Sequence, residues 1–429
     1  MKRCILSLLC LAVIAVLSGC GGAEESNIGH DGVIDGKIVF LTDRVDLIDT
    51  VFKEYVERFN EKYPEVKVEI TALNDYEGLM NIRLSSNEYG DVLFIPRDLS
   101  PSDLSDFFEP LGPTDELRKS YYNIDDRSYD GQTYGIPVSF NIAGIVYNKD
   151  VLKKAGVEVI SKEPVQFLDA MRKINQNTDA TPYVTNYLNW TLNRWEFHAI
   201  SYSGIPDYYH IQMPGRDDPF SKGTPHYEIY KLLYDLAHEG LIEADPLTDT
   251  SGPIGLAQGK VGAMHLDTGG LSQIRSMTDK PESIGFLPFT LSIDGGEVPL
   301  TMSNLAIGIS RHSRNKDAAR AWLDWFINES GYSEYNQEIS PVIGMKLPEN
   351  LFDLQDFDFG IGEAAIGEAD ATLEKPGKTV DEIDQDGMVG LWLPDYKQEI
   401  ILSGLGSIDK SFEEIIEELN EKWKNGRND

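Results

Sequence analysis

"KIVFLTDRVDLIDTVFKEYVERFNEKYPEVKVEI", residues 37–70, reads as strand, helix and strand in immediate succession. "KIVFL" is a short apolar run. Leu47, Val51, Phe52, Tyr55, Val56 and Phe59 then recur at three- and four-residue spacing on one helical face. Pro64 stops the helix, and "VKVEI" alternates as the next strand. Working outward, "GLMNIRLSS" (78–86) repeats a helical pattern, and "DVLFI" (91–95) is apolar from Val92 onward, as a parallel strand buried on both faces should be. Strand and helix alternate, so the expected class is α/β, with binding positions beyond the carboxyl ends of the strands. Those ends carry Asp43 and Arg44, then Asn74 and Asp75, then Arg97 and Asp98.

Length and charge narrow the function. A chain of 429 residues is sized for two or three domains. Its 71 Asp and Glu against 38 Lys and Arg, a net charge of −33, exclude nucleic acid as a partner, because phosphates require basic groups. At the N-terminus Lys2 and Arg3 precede an apolar run from Ile5 to Leu17, the pattern of a secretory signal peptide over residues 1–19. Ser18 and Gly19 before Cys20 resemble the lipobox of bacterial lipoproteins, which implies cleavage before Cys20, a diacylglyceryl group on its thiol and attachment to the outer face of the cell membrane. Cys4, Cys10 and Cys20 are the three cysteines, so a chain beginning at Cys20 has no disulfide partner. Residues 20–36 are small, polar and acidic and are expected to form a flexible tether of roughly 20 Å.

Further along, "YGIPVSFNIAGIVYNKD" (134–150) combines Gly135 and Pro137 with a buried-strand pattern from Ile142 to Tyr147, and sets polar Ser139 and Asn141 between them. Together with "FKEYVERFNEKYPEVKVEI", "GDVLFIP", "EPVQFLDAMRKI", "GKVGAMHLDTGG", "IGFLPF" and "NLAIGISRHSRNKDAARAWLDWFI", in that order, it resembles the maltose-binding-protein-like family of extracellular solute-binding proteins that serve ABC importers. The resemblance covers nearly all of the chain after the tether. It implies a type II periplasmic-binding-protein fold, in which two discontinuous lobes, each a mixed sheet flanked by helices, are joined by hinge strands. The expected lobes are 37–140 with 304–341 and 141–303 with 342–429, the crossings lying in "PVSFNIAGIVYNKD", in "TMSNLAIGIS" around Ser303 and Asn304, and in "ISPVIGM" around Pro341.

The resemblance also nominates ligand contacts. Ser139 and Asn141 would line the cleft floor. Within "NYLNWTLNRWEFHAISYSG" (186–204) it points to Asn189, Trp190 and Arg194, whereas Trp195 reads as core. Asp267 and Thr268 follow a strand at the cleft lip, Asn304 lies at the second crossing, and Trp392 occupies the place of an aromatic platform before a helix. Two other platforms of the family are replaced, by Ile95 and by Gly270 with Leu271, a departure that bears on malto-oligosaccharide specificity.

Other patterns fail. "EIDQDG" (382–387) imitates part of a calcium loop, but Leu393 stands where the closing Glu belongs, so it reads as an acidic surface turn. The seven histidines show no metal spacing, and no nucleotide-binding loop or nucleophile elbow is present in the sequence. The C-terminal Phe412, Ile415, Ile416, Leu419 and Trp423 share one helical face. The expectation is a lipid-anchored, monomeric binding protein without cofactor or metal, which presents a carbohydrate, and most simply an oligosaccharide, to permease subunits. Rival readings are a receptor for a polyamine, peptide or metal chelate, a surface glycosidase, and a protein that presents its ligand to a membrane sensor.

Overall fold

Phe40 shows why the N-terminal third folds as it does. It lies on β1 (Gly36–Thr42), which pairs in parallel with β2 (Val66–Ala72) on one side and β3 (Val92–Phe94) on the other. Its ring meets Phe52 from the helix Val51–Lys62, Phe94 from β3, and Trp322 and Phe326 from the helix Lys316–Asn328, at centroid distances of 5.4–5.9 Å. The helical face read from the sequence is the buried one at Leu47, Phe52, Tyr55 and Phe59, while Val51 and Val56 are half-buried at its edge. Each buried aromatic of this kind contributes a few kcal/mol by leaving water, about 25 cal/mol per Å².

In the computed structural model residues 33–97, 99–158, 160–161, 163–188, 190–204, 208–288, 301–303, 305–354 and 377–428 are described. The chain from Val33 already belongs to the fold: Ile34 packs on the N-terminal core, inside the segment expected to be tether, because an apolar side chain next to that core gains by burial. The signal-peptide and lipidation readings, Cys20 included, lie outside the described residues.

Two mixed sheets organise the molecule. After β4 (Gly135–Pro137) the chain enters β5 (Phe140–Asn148), followed by β6 (Thr181–Val184), β7 (Val261–Asp267), β8 (Ile284–Pro288), β9 (Thr301–Ser303) and β10 (Ala306–Ile309). The first sheet has the order β2-β1-β3-β10-β4, with β10 antiparallel to both neighbours. The second has the order β8-β5-β7-β6, with β9 also pairing with β5. Strand β5 is almost wholly buried and continues cleanly into a helix. Asn148 accepts the N–H groups of Asp150 and Val151 at its start, and Gly156, at φ 72°, ends it in the left-handed region. Helices flank both sheets, giving the two-lobed α/β architecture.

The passage between sheets is the part that positions the site. Pro137 pairs with Ala306 in the first sheet and Phe140 with Ser303 in the second, so β4–β5 and β9–β10 cross side by side, with Val138 N–H donating to Leu305 O at 2.9 Å. A third segment joins them: Ile339 exchanges backbone hydrogen bonds with Phe140 at 3.0 and 3.1 Å, and Val342 bridges to Tyr121. Among the described residues no helix is long and apolar enough to cross a membrane, and no group of three or more His, Cys, Asp or Glu is arranged to hold a metal ion.

Candidate functional site

Polar side chains collect where the three crossings meet. Ser139 and Asn141, only 1% and 4% exposed, turn toward the third crossing, where Ser139 Oγ–H donates to Glu338 Oε2 and Asn141 Nδ2–H donates to Glu338 Oε1 at 3.1 Å. Asn141 Oδ1 accepts the Thr268 hydroxyl at 2.8 Å, and Thr268 Oγ1 accepts the N–H of Ile142 at 3.2 Å. The two floor residues are therefore engaged by Glu338 and Thr268 rather than presenting every polar atom to the cleft. Burial pushes the Glu338 carboxyl above the usual carboxylate range against those hydrogen bonds. Asp267 of one lobe adds to the rise and Arg44 of the other opposes it, which places both groups in one electrostatic field.

The lip of the second lobe is built on a helix start. Asp267 Oδ1 caps the helix Thr268–Ser276 by accepting Gly270 N–H at 2.7 Å, and its Oδ2 accepts Arg194 Nη1–H at 2.5 Å. Gly269 keeps this corner close-packed, since a Cβ would lie 3.2 Å from Asp267 Oδ1 and 3.3 Å from the Asn141 amide, which would have to shift by a few tenths of an ångström. Arg194 ends the 3₁₀ turn Trp190–Arg194. Below it, His265 Nδ1 lies 2.6 Å from His198 Nε2. Burial lowers His198 to about 3 and holds His265 well below its ordinary value, so both rings are neutral.

Trp392 stands half-buried on the same lobe. Its indole Nε1–H donates to the Tyr209 hydroxyl at 2.9 Å, and its ring packs against Phe197 and Tyr209 at 5.1 and 5.9 Å. Trp195, read from the sequence as core, is 2% exposed and faces Tyr183 and His198 edge-on.

Across the cleft, Arg44 donates from Nε and Nη2 to Asp46 at 2.9 and 2.8 Å and from Nη1 to Asn336 at 2.9 Å. Asp43 has a buried Oδ1 without a hydrogen-bond partner, and burial raises its carboxyl above the ordinary value, with Arg44 and Arg97 opposing. Asn74, Asp75 and Arg97 are exposed, and the Arg97 N–H donates to Glu77 at 3.2 Å. Asp98, Asn189 and Asn304 lie outside the described residues, as does the side chain of Trp190.

Glu338 and Asn193 join the site without having been singled out in the sequence. Glu338 carries the same signal as Ser139 and Asn141, a polar residue directly before a crossing. Asn193 Nδ2–H donates to Trp392 O at 2.9 Å while its buried Oδ1 has no partner. The supposed surface turn "EIDQDG" also differs: the half-buried Asp384 turns inward and accepts the N–H groups of Val389, Gly390 and Leu391 at 2.8–2.9 Å, because a loop without helix or strand must find partners for its backbone elsewhere.

Two α/β lobes, three crossing segments and polar side chains gathered where the crossings meet match a known architecture. The solved structure of the ABC-transporter binding protein BlMnBP1 from Bifidobacterium animalis subsp. lactis, in complex with mannobiose, is 27% identical, covers 94% of this chain and 96% of its own, and superposes with a TM-score of 0.72. The manno-oligosaccharide-specific solute-binding protein BlMnBP2 of the same organism, in complex with mannotriose, is 25% identical over 92% of this chain and 95% of its own, with a TM-score of 0.71. A multiple sugar-binding protein of Streptococcus mutans is 23% identical over 192 residues, 43% of this chain. The match spans about half the length of the curated relatives, 44% and 47%. Residues 46–332 match the family model for the bacterial extracellular solute-binding protein, and the chain belongs to that family of binding proteins.

Proposed function

We propose that this protein captures a neutral oligosaccharide between its lobes and delivers it, as a monomer held to the membrane by lipid on Cys20, to the permease of an ABC importer. The observation that carries the reading is the pairing of an aromatic platform with a polar floor. Trp392 offers a half-exposed ring of the kind that packs on the C–H face of a sugar, while Asn193 Oδ1 and Asp43 Oδ1 are buried acceptors without partners, suited to hydroxyl donors. Neutrality follows from charge. Arg194 is paired with Asp267 and Arg44 with Asp46, so a uronate would compete with carboxylates already in place. The manno-oligosaccharide complexes of its structural relatives support the same ligand class.

Arg44, Asp43, Asn74, Asp75, Arg97 and Asp98 would contact the ligand from the first lobe, with Ser139, Asn141, Asn189, Trp190, Arg194, Asp267, Thr268, Asn304 and Trp392 at the floor and on the second. Contacts from both lobes favour closure about the crossings, by no more than the ligand's preference for the closed form. No covalent step is required.

The test is a thermal-shift screen of the chain begun after Cys20 against neutral saccharides, uronates, polyamines and peptides. A ligand at a hundredfold excess over Kd adds about 2.7 kcal/mol of apparent stability. A neutral saccharide hit weakened by Trp392→Ala is the expected result. Hits confined to polyamines, peptides or uronates would replace the ligand class, and sustained release of reducing sugar by the pure protein would replace binding with hydrolysis.

A further inference from the structure

The backbone that carries Trp392 is held by side chains at every turn. Three successive carbonyls are taken: Leu391 O and Leu393 O accept from Lys397 Nζ at 2.6 and 3.1 Å, and Trp392 O accepts from Asn193. The preceding N–H groups are taken by Asp384. Lys397 is fully buried, and its ammonium lies 3.9 Å from the equally buried Glu196. Glu196 also meets His226 at 2.5 Å, His226 meets the Tyr208 hydroxyl at 2.9 Å, and the next residue, Tyr209, accepts from the Trp392 indole. The contacts form a closed ring from Trp392 through Tyr209, Tyr208, His226, Glu196 and Lys397 back to the carbonyls on either side of Trp392. Tyr208 and Tyr209 open the π-helical turn Tyr208–Gln212, a rare local conformation that sends one hydroxyl into the core and the next to the indole.

A buried ammonium is costly, and well-packed apolar residues commonly replace such groups at no loss of stability. Its position here has a geometric result: it pins both neighbours of the platform residue. We propose that Lys397 is a positioning residue for ligand recognition, which together with Asn193 and Tyr209 fixes the Trp392 indole before ligand arrives. The proposal rests on Trp392 being the platform. Its effect on affinity comes from preorganisation, since a side chain already immobile gives up little freedom on binding.

The first measurement needs no ligand. Acrylamide quenching is followed in the wild type and in Lys397→Met, each with its Trp392→Phe counterpart, so that the difference isolates Trp392. The expected result is at least a twofold rise in quenching of Trp392 in Lys397→Met with unchanged far-ultraviolet circular dichroism. Unchanged quenching of Trp392 overturns the proposal. Should Lys397→Met fail to fold, Asn193→Ala and Tyr209→Phe, which remove one bond each, carry the same test with the same two outcomes.

The second measurement is a double-mutant cycle with mannotriose. Lys397→Met should weaken binding about tenfold in the presence of Trp392 and have little effect in Trp392→Ala. An equal loss in both backgrounds means that Lys397 acts on the lobe as a whole and overturns the positioning role. Binding of mannotriose that ignores Trp392→Ala defeats the platform reading instead, and the quenching result then decides by itself whether Lys397 fixes the indole.

Discussion

The two lobes solve the same packing problem with different materials. Around Phe40 the first lobe is stitched by rings, with Phe52, Phe94, Trp322 and Phe326 meeting it and Tyr332 packing on Phe326, and little charge inside. The second lobe buries Glu196, His226 and Lys397 at zero exposure, beside Tyr230 and Tyr396, whose hydroxyls both donate to Glu196. Although burial opposes it, His226 and Lys397 hold the Glu196 carboxyl below the ordinary carboxylate range. Burial in turn lowers Lys397 to about 8 against the pull of Glu196. Dispersion and hydrophobic transfer depend on volume and tolerate rearrangement, whereas a buried polar cluster depends on every partner. Of the two lobes it is the polar one that carries Trp392, so stability given up there is exchanged for fixed geometry at the cleft.

The contrast breaks most visibly at Glu196. Glu196→Ala leaves a buried cation without its partner and should cost about 3–5 kcal/mol, while Met80→Leu in the first lobe, a volume-conserving change at a fully buried position, should cost under about 1.5 kcal/mol. Urea unfolding reads the two separately in variants that keep either Trp322 and Trp325 of one core or Trp195 and Trp423 of the other, the remaining tryptophans being replaced by Phe. Equal costs would mean the lobes are not built differently.

Acid sharpens the comparison next. The unfolded chain takes up a proton on His198 near 6.5 and the folded chain only near 3. Between these values the unfolded state binds more protons, so stability present above pH 6.5 is lost as pH falls, by up to about 1.4 kcal/mol per pH unit. From pH 6.5 to 5 the protonation of His198 alone should lower the second lobe's melting transition by roughly 3–7 °C; His265, also held well below its ordinary value, adds to the drop, and His198→Gln reduces it. A first-lobe transition falling in step would remove the assignment to His198.

Between the lobes, Ser139→Ala removes one donor from the half-buried Glu338 carboxyl and should cost about 1–2 kcal/mol. Because the crossing is shared, both urea transitions should move, and movement of one alone would show that the clasp belongs to a single lobe. At the surface of the second lobe, Arg172→Ala breaks the exposed contacts to Glu239 and Asp169 and should change stability by less than about 1 kcal/mol, as seen in the second-lobe melting transition. A larger loss would place that ion pair on a par with the buried cluster.

The sequence already showed the strands and helices whose patterns are local. Val92 to Phe94 read as a buried strand because all of its residues are apolar, and Phe412 to Trp423 read as a packed helix because their spacing is helical. Ser139 and Asn141 stood out for the same reason, polar groups in an apolar run. What stayed hidden was partnership across sequence distance. Asn193 reaches Trp392 and Ser139 reaches Glu338, contacts some two hundred residues apart that leave no periodic trace. Nor does composition tell an inward Asp384 from a solvated acid, since the difference lies in where three backbone N–H groups point.

The threading of the first sheet has a consequence in time. β10 lies between β3 and β4, so the sheet begun by Gly36 is completed only by Ala306–Ile309, and its covering helix ends at Asn328. The second core likewise awaits Phe412 to Trp423 near the end of the chain. During synthesis neither lobe can close until most of the polypeptide exists. The nascent chain therefore spends its longest interval without a finished core, dependent on whatever keeps exposed apolar strands from associating.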